Sequence, residues 1–259
     1  MRLSDYENRY NNIRFSRTDG VLEMTLHTRG GVAKWGTSEQ SLHNELGAAF
    51  ADLARDPENK VVVLTGTGDT FLTEMDREDR APEASMGDMW QRMYQEGVAL
   101  LHNLMAVPVP IIAAVNGPAL LHAEVPALSD IVLAAENAEF GDTHINLGIV
   151  PGDGVHVVWP LLLGPNRGRS FLLTCERIGA EEAKRLGFVA EVLPTGNLLP
   201  RARELAKKLA ALPLPVLYHT RALLTRNIRR HMNDELGHGL ALEALAMIPL
   251  VERAGRATS

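Results

Sequence analysis

Three apolar runs constrain the fold of this chain most strongly, because each is long enough for a strand and each ends in a turn. The runs are KVVVLTGTG at 60–68, VPIIAAVNGP at 109–118 and DIVLAAENAEF at 130–140. Largely apolar strands are typical of a parallel sheet that is buried on both faces. Amphipathic segments at 41–54 and 89–105 predict helices before the first run and between the first and the second. This alternation predicts an α/β fold with right-handed crossovers.

The two ends of the chain differ from this alternating middle. Residues 11–27 predict a β-hairpin with its turn at Thr18-Asp19-Gly20, and residues 75–88 predict a charged loop. The C-terminal part predicts helices at 198–212, 215–232 and 235–251. The last of them contains the run LALEALAMIPLV, which has more apolar residues than one buried face needs. The excess favours a subunit interface, and a deeply buried helix is the alternative.

Composition excludes several classes of protein. The 259 residues carry a formal net charge of -6, which argues against nucleic acid as a partner. No apolar run reaches the roughly 18 residues that a membrane span needs, and the polar N-terminus predicts no signal peptide. The single cysteine, Cys175, excludes an intramolecular disulfide. We therefore expect a cytoplasmic protein with no membrane contact.

The stretch FGDTHINLGIVPGDG at 140–154 contains the first candidate catalytic residues. Its glycines and Pro151 predict a loop that brings His144 and Asp153 together across a turn. An imidazole titrates near neutral pH, and a carboxylate beside one ring nitrogen fixes its tautomer and raises its basicity. The pair therefore predicts a general base, His144, oriented by Asp153. The alternative is an exposed loop histidine beside an unrelated turn aspartate.

Five motifs, in this order, resemble the crotonase (enoyl-CoA hydratase/isomerase) superfamily over nearly the whole chain. They are VVVLTGTGDTF, IIAAVNGPAL, SDIVLAAENAEFG, LGIVPGDGVHVVWPLLLG and LLTCERIGAEEAKRLGFVAEVLP. The resemblance implies a spiral of ββα units over 1–195. It also implies a helical C-terminal trimerisation segment over 196–259 of the same domain. The assembly implied is a homotrimer or a dimer of trimers.

Departures from the superfamily pattern indicate a particular function. An AGAD-like run is replaced by Leu72-Thr73-Glu74-Met75-Asp76, and a triple glycine whose N–H binds the thioester oxygen is replaced within Leu120-Leu121-His122-Ala123. The F-G-x-P-E run that contains a catalytic glutamate in hydratases here reads Phe140-Gly141-Asp142-Thr143-His144. Together with Trp35 and Asp153, these residues resemble the 6-oxocamphor hydrolase group. That group cleaves β-diketones without coenzyme A.

The candidate catalytic residues are His144, Asp153 and Glu243. His144 would take a proton from water while Asp153 orients it, and an acyl intermediate on Asp153 as nucleophile is the alternative. Glu243 lies among apolar residues on a predicted helix, where burial would raise its pKa and let it hold a water or deliver a proton. The alternative for Glu243 is structural pairing.

Three further residues are candidates to bind the substrate. Trp35 and His122 carry N–H groups that could donate to the diketone oxygens, and a place in the core is the alternative for both. His43 is a third candidate, with a solvated helix face as its alternative. Glu124 matches the position of a second hydratase glutamate, but we rank it below the others because the triple glycine is missing.

The sequence therefore predicts a hydrolase that opens a cyclic, non-enolisable 1,3-diketone to a keto acid. Two alternatives remain: a CoA-thioester hydratase, isomerase or hydrolase, and a catalytically silent oligomeric binding protein. We expect no cofactor. No histidine spacing combines with carboxylates in a metal-like pattern, so we also expect no metal.

Overall fold

The computed structural model describes residues 1–79 and 86–257. Its strands are β1 Ile13–Thr18, β2 Val21–Leu26, β3 Lys34–Trp35, β4 Val61–Gly66, β5 Glu74–Met75, β6 Ile111–Val115, β7 Ile131–Ala135, β8 Glu139–Phe140, β9 Ile178–Gly179 and β10 Glu191–Leu193. Six of them form a sheet in the order β1-β2-β4-β6-β7-β10. Only the hairpin pair β1 and β2 is antiparallel in that sheet, and the other neighbours run parallel.

The helices follow the strands in the α/β alternation that the sequence predicts. They are α1 Leu42–Ala54, α2 Met86–Ala106, α3 Glu124–Ala127, α4 Val155–Leu163, α5 Pro165–Thr174, α6 Ala180–Leu186, α7 Thr195–Ala210, α8 Leu214–Leu224 and α9 Arg226–Ala257. Helix α1 begins after Ser41, whose hydroxyl accepts a hydrogen bond from the amide of Asn44. In the described part of the chain, no helix is both long and apolar enough to span a bilayer.

Both faces of the sheet are covered, as its apolar strands predict. Alternate residues of β4 contribute to different cores: Val62 and Leu64 pack into the larger cluster, and Val61 and Val63 into the smaller one. The smaller cluster also contains one face of α7. All residues of β4 and β6 are buried. The predicted α/β fold with a buried parallel sheet is therefore confirmed.

One predicted helix boundary is wrong. The sequence analysis places a break between 232 and 235, but α9 runs through these positions and the break lies at Thr225. Thr225 is the C-cap of α8, and its hydroxyl donates to the carbonyl oxygen of Arg221, a side-chain bond of the kind that bends helices. The predicted loop at 75–88 lies partly outside the described residues, and α2 begins within it, at Met86.

Loops that follow the parallel strands are joined to one another at one edge of the sheet. Bridges connect Leu72 with Ala119 and Ala119 with Phe140. The side chain of Asn116 accepts from the amide of Gly66 and donates to the carbonyl of Thr70. Because β4, β6 and β7 are parallel, their carboxyl ends share this edge, where ligands of α/β folds usually bind.

Candidate active site

A cavity of about 170 Å³ opens at this edge of the sheet. All six predicted site residues line it: Trp35, His43, His122, His144, Asp153 and Glu243. The rest of its wall is largely apolar and includes Met75, Met93, Leu121, Leu147, Ile149 and Leu240. A mainly apolar cavity with a few convergent polar groups is typical of a small-molecule site.

His144 lies between two carboxylates. It directly precedes a 3-10 helix, Ile145–Leu147. Its Nδ1 is 2.8 Å from Oδ2 of Asp142, and its Nε2 is 3.3 Å from Oδ2 of Asp153. Burial alone would lower the pKa of His144, but the charge of Asp153 and the hydrogen bond with Asp142 outweigh it and raise the pKa to about 12. The ring is therefore an imidazolium at neutral pH.

Asp153 is the residue on which the charged groups converge. It lies on the turn before α4, and the following Gly154 adopts φ of 104°, which a side chain would disfavour. Its Oδ2 is also 3.2 Å from Nδ1 of His122. Burial acts to raise the pKa of Asp153, but the positive charges of His144 and His122 hold it well below its usual range. Asp153 is therefore a carboxylate in the ligand-free cavity.

His122 is held from two sides. Its ring stacks on Trp35 with 3.7 Å between the ring centroids, and its Nδ1 is 2.9 Å from Oε1 of Glu124. Burial lowers the pKa of His122, but the charges of Glu124 and Asp153 raise it overall. The backbone of His122 has φ of 48°, a left-handed conformation that costs a non-glycine residue free energy. His122 stands at a position where the superfamily that the sequence resembles has glycine.

His43 is 6% exposed, so the alternative of a solvated helix face is wrong for this residue. It begins the buried face of α1, and its ring centroid is 5.0 Å from that of Trp35. Its Nδ1 is 3.2 Å from Oε2 of Glu96. Burial lowers the pKa of His43, although the contact with Glu96 acts in the opposite direction. His43 therefore reaches the cavity as a mainly neutral ring.

Glu243 reaches the cavity because α9 packs very closely against the loop before α4. A Cβ atom added to Gly152 would lie 2.2 Å from the carbonyl oxygen of Gly239, so only glycine fits there. Burial, followed by the charge of Asp153, raises the pKa of Glu243 to about 8. Its Oε2 is buried without a hydrogen-bond partner. Glu243 is thus mostly protonated at neutral pH, as an acid would need to be.

Two of the four backbone amides in the stretch 120–123 are already occupied. The amides of Leu120 and Leu121 both donate to the carbonyl oxygen of Leu72, at 2.8 and 3.2 Å. In a thioester-binding member of the superfamily, a peptide N–H at this place would bind the thioester oxygen. The polar groups that face the cavity at this place are instead side chains.

A metal ion could be held by His122, Glu124 and Asp153, whose ligand atoms all lie within 4.8 Å of one another. The contacts of His122 Nδ1 with the two carboxylates, 2.9 and 3.2 Å, are also ordinary ion-pair distances. The positive charge of the histidine therefore already compensates the carboxylates. The expectation that no metal takes part stays a prediction.

The sequence analysis missed two residues of the site. Asp142 stands two residues before His144, and the contact with Nδ1 depends on a local turn that spacing does not reveal. Trp90, on α2, lines the cavity, and its indole Nε1 is buried without a partner. Glu124, ranked below the other candidates, is 0% exposed and bonds His122 directly.

Comparison with solved structures supports the fold. The chain superposes with a TM-score of 0.90 on a β-diketone hydrolase from the cyanobacterium Anabaena sp. PCC 7120 bound to (S)-3-oxocyclohexyl acetic acid. The two sequences are 44% identical over 95% of this chain and 98% of the other. An enoyl-CoA hydratase/isomerase from Mycobacterium paratuberculosis has a TM-score of 0.84 at 28% identity, covering 92% of this chain and 94% of the other.

Relatives with curated activities belong to the same superfamily. The carnitinyl-CoA dehydratases of Shigella flexneri and of Escherichia coli K12 are each 32% identical over 203 residues, which cover 76% of this chain and 74% of the relative. The family model described as enoyl-CoA hydratase/isomerase matches residues 16–248. With that match, the ββα order of its elements and the site at the carboxyl edge of its sheet, the chain belongs to the enoyl-CoA hydratase/isomerase, or crotonase, family.

Proposed function

We propose that the protein is a β-diketone hydrolase that opens a cyclic, non-enolisable 1,3-diketone to a keto acid by retro-Claisen cleavage. The observation that carries this proposal is the set of donors around the cavity. The amides of Leu120 and Leu121 donate within the chain, while the rings of His122 and His144 line the same space. The likeness to a β-diketone hydrolase at 44% identity supports it.

The reaction needs a stabilised carbon leaving group. Water adds to one carbonyl, the bond to the central carbon breaks, and its electron pair spreads onto the second carbonyl oxygen as an enolate. Donors on that oxygen stabilise the charge selectively in the transition state, and we assign this task to Trp35 and His122, with His43 beside them. A proton then returns to the central carbon. The acid–base groups are His144 and Asp153, and Glu243 holds the water or supplies a proton.

A CoA-thioester reaction is the second candidate, because the curated relatives are carnitinyl-CoA dehydratases at 32% identity. Two observations weigh against it: the Leu120 and Leu121 amides are engaged with Leu72, and His122 puts a side chain where the superfamily has glycine. If this candidate were right, the protein would be retained on immobilised CoA and protected from thermal unfolding by an acyl-CoA.

The test is a product screen. The keto acid bound by the Anabaena enzyme is what water would form from a bicyclic 1,3-diketone whose carbonyls flank one bridgehead carbon. Such a diketone cannot enolise at the bridgehead and is the first substrate to offer, with other cyclic 1,3-diketones beside it. Mass spectrometry should detect the gain of one water, and His144→Ala should abolish it with the fold unchanged. No turnover of any diketone, together with saturable acyl-CoA binding, would favour the second candidate. A protein that neither turns over a diketone nor binds acyl-CoA would instead be a silent binding protein.

We also propose a homotrimer or a dimer of trimers. Leucines on the last two helices support it, because Leu223, Leu224 and Leu245 are 74%, 73% and 61% exposed in the single chain. Light scattering at micromolar concentration should give three or six copies, and a monomer would contradict this assembly.

A further inference from the structure

Asp142 and Asp153 contact His144 in different ways. Asp142 is bound at both oxygens: Oδ2 contacts Nδ1 of His144 at 2.8 Å, and Oδ1 accepts from the His144 amide at 3.2 Å. Asp142 is 3% exposed and lies on the same loop. Asp153 contacts the rings at longer distances: its Oδ2 is 3.3 Å from Nε2 of His144 and 3.2 Å from Nδ1 of His122.

The two contacts of the His144 ring determine how many protons it carries. Both nitrogens of His144 face a carboxylate oxygen, so both must donate if neither contact is to be repulsive. A neutral imidazole has one N–H group, whereas an imidazolium has two. A ring placed in this way cannot accept a proton from water, because neither nitrogen has a free lone pair. The geometry therefore conflicts with the simple assignment of His144 as the first base.

We propose that Asp142 holds His144 as an imidazolium acid, and that Asp153 is the carboxylate that receives the proton of the attacking water. This assignment rests on the proposed diketone hydrolysis and deepens it. Asp142 is a positioning residue, because it acts only through the ring. Asp153 and His144 are the catalytic pair, with the acid and base tasks exchanged relative to the pattern of a histidine base.

The protons balance over one turnover. Asp153 takes a proton from water as the water oxygen bonds to the carbonyl carbon. The carbon–carbon bond then breaks, and its electron pair forms the enolate. The Nε2–H of His144 gives its proton to the central carbon, which completes the keto acid. The proton on Asp153 returns to Nε2 across the 3.3 Å contact, and both residues regain their starting state.

Neighbouring charges are compatible with these states. Besides Asp142 and Asp153, the groups that face His144 are His122, whose ring centroid is 6.2 Å away, and Glu243 on α9. The charges of Glu124 and Asp153 raise the pKa of His122, which favours a positive ring that opposes the charge of His144, but His122 has its own carboxylate partner, Glu124. Glu243 is largely protonated at neutral pH and adds little negative charge.

The first test needs no substrate. Nitrogen-15 spectra of the ligand-free protein, with the His144 signals assigned by their absence in His144→Gln, report whether each ring nitrogen carries a proton. We expect an imidazolium in the wild type at pH values up to about 8, and loss of its proton at lower pH in Asp142→Asn. Asparagine can still accept from the His144 amide, so the loop should keep its shape. Asp142→Glu, which keeps the charge, should restore most of the wild-type titration, and Asp69→Asn, at an exposed loop position, is the matched control.

The second test uses the diketone that the product screen identifies. Asp142→Asn should lower kcat by a factor of roughly 10² or more, with KM little changed, because proton transfer rather than binding is impaired. The high-pH limb of its rate profile should move to lower pH. In a His144→Gln background, adding Asp142→Asn should cost almost nothing further, since Asp142 acts only through the ring.

The outcomes separate this assignment from the proposed function. A neutral His144 at pH 7 in an active hydrolase would overturn the assignment and restore His144 as the base. So would an Asp142→Asn protein that behaves like Asp69→Asn in both tests. A protein that cleaves no diketone while His144 is an imidazolium would overturn the function, and the role in catalysis would fall with it.

Discussion

Replacing Glu243 by glutamine should remove a pH-dependent cost of folding. The pKa of Glu243 is 4.5 in the unfolded chain and is raised to about 8 by burial. Between these values the folded protein holds a proton that the unfolded chain has lost, so stability falls as pH rises. The slope is roughly 1.4 kcal/mol per pH unit, which gives about 4 to 5 kcal/mol over the whole window as an upper limit. Glutamine has the same shape and no proton to lose.

The expected result is a difference in unfolding free energy between Glu243→Gln and the wild type that changes with pH. Chemical denaturation from about pH 5 to pH 8 should show Glu243→Gln gaining stability on the wild type as pH rises. Comparison with the wild type cancels the contributions of Glu45 and Glu124, whose pKa values burial also raises. In the lower part of the window the contribution of His144, whose pKa is raised to about 12, is unchanged, because it is lost only above the ordinary value of 6.5. Glu235→Gln, at an exposed position on the same helix, is the matched control and should leave the slope unchanged.

If the unfolding free energies of Glu243→Gln and the wild type changed with pH at the same slope, the reasoning that burial keeps Glu243 protonated would be refuted. The same variant tests the catalytic role separately. If a protonated Glu243 is needed, the wild-type rate falls as pH rises through about 8, and Glu243→Gln loses that limb together with part of its activity.

Four further results are expected. His122→Gly should be about 1 kcal/mol more stable than His122→Ala in denaturant titrations, because glycine tolerates the positive φ, while both variants lose activity. Gly152→Ala should cost about 1 to 3 kcal/mol in unfolding free energy and should lower kcat, since a Cβ at this position forces α9 and Glu243 away. Trp90→Phe should raise KM by roughly 3- to 10-fold without loss of thermal stability, because it removes one buried, unpaired N–H donor. Chelators should leave activity intact, and a loss that zinc restores would instead implicate the cluster of His122, Glu124 and Asp153.

The sequence could predict the sheet because burial on both faces leaves a simple pattern. Runs such as 60–68 contain almost no polar residue until the turn, and the structure places the strand at Val61–Gly66 with every residue buried. The break between the last two helices was harder to predict. The exposed polar residues Asn233 and Asp234 resemble a loop, yet α9 continues through them, whereas the real break lies at Thr225, whose hydroxyl bonds the carbonyl oxygen of Arg221.

The members of the site could be predicted more easily than their partners. His144 and Asp153 stand out because a loop rich in glycine concentrates chemically active side chains. Which carboxylate meets which nitrogen depends on side-chain rotamers, and a spacing of two residues, as between Asp142 and His144, does not fix them. Trp90 gave no signal at all, because a tryptophan on an amphipathic helix usually belongs to the core.

The triple glycine of the superfamily is missing at 120–123, and charged side chains line the cavity beside it. We interpret these two features as connected. The amides of Leu120 and Leu121 are engaged with Leu72 and are not available to a backbone oxyanion hole. We expect side chains to stabilise an enolate that forms in this cavity, and cationic donors do this best in a buried site. A buried cation in turn needs a carboxylate beside it, which explains why Glu124 accompanies His122 and why Asp142 accompanies His144. If that reasoning is right, Glu124→Gln should lower the pKa of His122 and weaken catalysis, whereas restoring glycine at position 122 alone should not create thioester chemistry.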